Sequence, residues 1–234
     1  MRCKRGSGHF EMIVSFVFFV GFVFFLFMVL KPHDTSTLSS SVVGALYGSF
    51  EEEVYTNLSE VFLRTDYVGG GSCFYVELPG GIFKYAMVDG GSYVRDLDGV
   101  DVNSGLESGD LNVDSTDDFF RVAVSPDFED EGVIGCDVLP EYELGGIVER
   151  RVVSYGALVE MKDRYYNDYD SLKVDLRIPA IFDFAIVSEG FPDVVMEPSR
   201  GVSSSSEVVA RDYLMEVLYS NGTIVREVFV LSVW

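Results

Sequence analysis

An uncharged stretch of nineteen residues, Met12 to Leu30, stands near the start of the chain and constrains everything after it. Eight of its residues from Phe16 onward are Phe or Gly. As a helix it would rise about 28 Å, close to the hydrocarbon thickness of a bilayer. A secretory signal carries an apolar stretch of only about 7–15 residues followed by a small-residue cleavage site. This run is longer and ends in "KPHD", the pattern of an anchor. Basic residues before it and acidic ones after it place the N-terminus in the cytoplasm and the bulk outside. The expectation is a single-pass membrane protein with an extracytoplasmic C-terminal region.

A plain anchor does not explain the basic leader "MRCKRG" or Glu11, an acid at the very edge of the apolar run. An ionised carboxylate costs on the order of 2.5–3.5 kcal/mol at the centre of a membrane helix and less at its edge, so Glu11 asks for a partner. On these residues the N-terminus resembles archaeal type IV pilin-like proteins with class III signal peptides. The resemblance covers about 25 residues and implies cleavage by a prepilin peptidase between Gly6 and Ser7, with the helix retained. It further implies that Glu11, five residues past Gly6, meets the new α-amino group of Ser7 in a neighbouring pilin-like subunit. Gly8 departs from the pattern by offering a second cut. The other reading is an uncut single-span anchor for an extracytoplasmic binding domain, with Glu11 resting in the headgroup layer.

Charge separates the two parts of the chain. Removing Arg2, Lys4, Arg5 and Lys31 from 17 basic residues, and Glu11 from 38 acidic ones, leaves 13 against 37, a formal charge of −24 beyond the run. Such a region repels nucleic acid and anionic headgroups. Of the three cysteines, Cys3 precedes the run, while Cys73 and Cys136 follow it. Outside the cell the latter two can pair, and two buried free thiols are the alternative.

Beyond Pro32, Val43, Leu46, Phe50, Val54, Leu58 and Phe62 recur at gaps of three and four, the period of one helix face. The organisation expected is a leader at 1–6, a transmembrane helix at 7–31, an amphipathic stalk helix at 32–64 and a β-rich extracytoplasmic head at 65–234. The fold class is α+β: a long N-terminal helix, half transmembrane and half amphipathic, bearing a mostly antiparallel head with one covering helix. Within the head, "SCFYVEL", "IFKYAMV", "SYVRDL", "DFFRVAVS" and "GVIGCDVL" read as strands between glycine turns. The covering helix is "YGALVEMKDRYYNDYDSLKVDLR", with Leu158, Met161, Tyr165, Tyr169, Leu172 and Leu176 as its buried stripe. Asn221-Gly222 predicts a two-residue turn closing a C-terminal hairpin.

Little here points to catalysis. His9 and His33 flank the apolar run, so the outer region has no histidine for a Ser/His/Asp triad or a His-bearing zinc site. The cysteines form no CxxC pair, and the chain reads as a structural protein, not an enzyme, with no cofactor required. Asp96, Asp98, Asp101 and Asn103 offer the oxygen ligands calcium takes, at a spacing unlike the EF-hand; a solvated turn is the other reading. Two sequons, at Asn57 and Asn221, mark candidate glycosylation sites.

Overall fold

The apolar run becomes helix α1 (Ser7–Val29). It is apolar all round, and its large side chains stand open to solvent, among them Met12 at 73%, Phe18 at 76% and Phe24 at 71% exposure. The computed structural model describes residues 7–29, 35–66, 73–78, 90–107, 109–129, 132–133, 135–198, 202 and 206–234. Among the described residues no helix is long and apolar enough to cross a membrane.

The second helix, α2 (Thr35–Val54), stops early and passes directly into strand β1 (Tyr55–Thr65). Val43, Leu46, Phe50 and Val54 keep the helical face expected of them and are fully buried. Leu58 and Phe62 do not continue that face. They lie two strand periods apart, on one side of β1, while Val61, Leu63 and Thr65 are buried on the other. A gap of four residues fits a helix turn and two strand repeats equally well, and β-sheet pairing on both sides of β1 decides the matter.

The expected long N-terminal helix, a transmembrane half joined to an amphipathic stalk, is therefore corrected. The helix expected to run to residue 64 ends at Val54, and α2 with β1 belongs to the core of the β-rich region instead of standing between membrane and head.

The remaining strands are β2 (Phe74–Glu77), β3 (Gly91–Asp96), β4 (Asp101–Val102), β5 (Ser104–Glu107), β6 (Asp110–Val113), β7 (Phe119–Ser125), β8 (Asp137–Val138), β9 (Tyr142–Leu144), β10 (Val148–Ser154), β11 (Phe184–Ser188), β12 (Val209–Leu218) and β13 (Ile224–Val233). They make a large sheet of order β11-β13-β12-β10-β1-β7-β3-β4, with β9 beside the end of β1, and a small sheet β5-β6-β2-β8. Pairing is antiparallel except at β10–β12 and β2–β8. The strand read at 82–88 and the glycine stretches at 69–71 and 79–81 lie outside the described residues.

One face of the large sheet is covered along its whole width. Over β10 to β13 lie α2 and the covering helix, which is two helices, α3 (Tyr155–Asn167) and α4 (Tyr169–Asp175), broken at Asp168. Ser154 ends β10 and caps α3, its hydroxyl accepting from the Ala157 N–H at 3.1 Å. Phe50 of α2 meets Phe229 of β13 at 6.4 Å between ring centroids, and Tyr165 donates to the Phe184 carbonyl at 2.9 Å, fixing α3 to β11. Over β1, β7 and β3 the cover is the small sheet, with Phe74 against Phe120 at 5.7 Å. Cys73 and Cys136, at the entries to β2 and β8, are joined in a disulfide across that sheet.

The opposite face is covered only in part. The β12–β13 hairpin pairs with β10 at two positions and then splays, so that its tip folds over the sheet. There Leu218 and Ile224 join Leu58, Ala123, Val152 and Phe128 in a third, small cluster.

Candidate functional site

The uncovered part of this outer face carries an unusual charge arrangement for a chain of formal charge −21. Strand alternation places Tyr93 and Arg95 of β3, Arg121 of β7, Glu60 of β1, Arg150 of β10, Glu216 of β12 and Arg226 of β13 on one side. They line a cleft of about 390 Å³ between the sheet and the hairpin tip. This size falls within the range of small-ligand sites.

The charges alternate. Arg121 pairs with Glu60, whose other oxygen accepts from Arg150 at 3.0 Å. Arg150 reaches on to Glu216 at 2.9 Å, and Arg226 closes on the other Glu216 oxygen at 2.7 Å. Glu60 is the most enclosed member, with its side chain 15% exposed. Arg150 thus bridges two carboxylates, while its Nε is buried without a hydrogen-bond partner.

At the far end Arg95 lies over the Tyr93 ring, 4.7 Å from its centroid, and donates to Asp101 at 2.8 Å. The Tyr93 hydroxyl also donates to Asp101. That hydroxyl, and then the guanidinium, hold the Asp101 carboxyl below its usual range, while burial pushes the Tyr93 phenol up. Gly222, at φ 72, sits against the same ring, where any Cβ would run into Tyr93. Gly222 is therefore required twice, for its backbone angle and for this close approach.

The residues singled out from sequence are scattered. Gly6 lies outside the described residues, Ser7 begins α1, and Glu11 is an exposed residue within that helix. Asn57 sits within β1, opposite Arg151 of β10, whereas Asn221 is exposed at the hairpin tip, its Oδ1 accepting from the Thr223 N–H at 3.1 Å. Asp96, Asp98, Asp101 and Asn103 do not converge. Asp96 accepts from the Val100 N–H at 2.8 Å within a tight turn, and Asp101 is committed to Arg95. Among the described residues no group of three or more His, Cys, Asp or Glu is placed to hold a metal ion.

Sequence reasoning missed the cleft altogether. Its signal was a charge embedded in each of several otherwise apolar strands, as in "FFRVAV", "LMEVL" and "IVREVFV". Nothing in one strand alone says that these charges will meet.

Compared with known protein families, curated proteins and solved structures, the chain has no match.

Proposed function

We propose that this chain is a pilin-like subunit of a type IV pilus-related cell-surface filament, processed after Gly6 and assembled through α1. The observation that carries this reading is α1 itself, apolar on every side and exposed, joined to an acidic β-rich domain with a disulfide. A helix of that kind requires apolar surroundings, and the outer domain does not supply them. Until assembly the apolar run from Met12 to Leu30, whose last residue lies outside the described ones, is held in lipid, with the leader toward the cytoplasm and the disulfide-bearing domain outside, where such bonds persist. In the filament the helices of neighbouring copies cover one another. Glu11 then meets the amine created at Ser7, a pairing favoured where the dielectric is low.

The outer-face cleft favours a second reading, in which the leader stays and the chain is an anchored binding domain. N-terminal sequencing and intact mass of the protein from its native cells separate the two. A chain beginning at Ser7 supports the filament subunit. One that retains "MRCKRG", or begins beyond Leu30, overturns it.

A further inference from the structure

The order of charges across the outer face leaves one pair facing each other. Arg95 and Arg121 are direct cross-strand partners on β3 and β7. Their carboxylate partners lie on the flanking strands, Asp101 on β4 and Glu60 on β1. Like charges directly opposed on a sheet are destabilising, and an anion between them relieves the repulsion. Both guanidiniums are accessible, with side chains 37% and 52% exposed. A fork of two guanidiniums fits the planar, two-oxygen geometry of a carboxylate.

The surroundings narrow the ligand. Glu60 and Glu216 also line the cleft, so a dense polyanion is repelled while a ligand bearing hydroxyl donors finds acceptors. Beside the fork, in the same cross-strand row, stands Phe62, 58% exposed and directly opposite Arg121. Phe119, two residues before Arg121, and Leu97 extend this apolar shelf. The Tyr93 ring is already engaged, with Arg95 over it and Gly222 in close contact.

We propose that this cleft binds a sugar acid, a uronate-bearing saccharide. Its carboxylate lies between Arg95 and Arg121, its hydroxyls donate to Glu60 and Glu216, and the apolar face of its ring rests on Phe62. The cleft is built wholly from the β-rich region, so the proposal stands or falls independently of assembly through α1.

The test is calorimetric titration of the full chain in nonionic detergent micelles with trigalacturonate, the neutral trigalactoside and triglutamate. Trigalacturonate is expected to bind at least about tenfold more tightly than either of the others. Arg121→Ala and Arg95→Ala are each expected to weaken it at least about tenfold, as bidentate charged contacts are lost. Arg121→Lys keeps the charge and the fold but not the fork, and is expected to weaken it as well. Arg177→Ala, at an exposed arginine on the other side of the domain, leaves binding unchanged. Absence of binding, or wild-type affinity in Arg121→Ala, overturns the proposal. Equal affinity for triglutamate also overturns it, and marks the cleft as a site for acidic peptide.

Discussion

Replacing Glu60 by Gln is the sharpest probe of what holds the outer face together. The carboxylate is largely enclosed and accepts from both Arg121 and Arg150. The amide keeps the shape but offers a single acceptor oxygen and turns an N–H₂ group toward the second guanidinium. Hydrogen bonds to charged groups contribute about 1.5–3 kcal/mol each, against about 0.5–1.5 for neutral ones. Since Arg121 is half exposed, solvent screening reduces its share. The expected loss is about 2–3 kcal/mol, read as a lowered urea midpoint for the full chain in detergent with the disulfide intact. The control is Glu52→Gln, whose partner Arg177 and own side chain are 70% and 62% exposed. That change is expected to stay within about 0.5 kcal/mol. If Glu60→Gln costs no more than Glu52→Gln, the alternating charges are a solvated decoration and the physical reasoning for an ordered cleft fails.

Asp127, just after β7, has a buried Oδ2 with no hydrogen-bond partner, and burial pushes its carboxyl pKa up despite bonds to Ser154 and Thr56. A raised folded-state value means that its stabilising contribution is present below the unfolded value and lost as pH rises through the folded one. Asp127→Asn is therefore expected to stabilise the protein at pH 7 by on the order of 1 kcal/mol and to make unfolding less dependent on pH, as measured by urea titrations across the acidic range. Replacing Cys73 and Cys136 by Ser opens a loop with a sequence separation of 63 and is expected to cost about 4 kcal/mol on the loop-entropy model, checked against reductant-treated wild type. Phe50→Ala empties a fully buried site between α2 and the sheet and is expected to cost about 3–5 kcal/mol in the same unfolding assay.

Local signals were legible where a single element decides its own form. Asn221-Gly222 announced a hairpin turn, and Gly222 takes the positive φ that suits glycine, but the two-residue turn expected is wider: the Gly222 N–H donates to the Tyr219 carbonyl, which puts Ser220 and Asn221 at its centre. The stripe from Leu158 to Leu176 marked the covering helix, since each of those side chains points at the sheet; the break at Asp168 left the spacing intact. The end of α2 was hidden for a different reason. Leu58 and Phe62 satisfy two periodicities at once, and only the pairing of β1 with β7 and β10, far along the chain, chooses between them. The cleft is less legible still. Arg95 and Arg121 are neighbours only because β3 and β7 pair, and Glu216 reaches Arg150 only because the hairpin splays over the face. Charges inside strands signalled an exposed face, but the meeting of those charges is a property of strand order.

Assembly through α1 is tested most directly by placing a photo-crosslinking phenylalanine analogue at Phe18, the most exposed large side chain of the described helix, in cells that make the protein at native levels. Illumination is expected to yield a ladder of covalent copies of this chain, and Glu11→Ala is expected to abolish the ladder while leaving the monomer folded and its disulfide intact. A chain that stays monomeric on illumination, with crosslinks to lipid alone, would contradict assembly and leave the domain tethered singly.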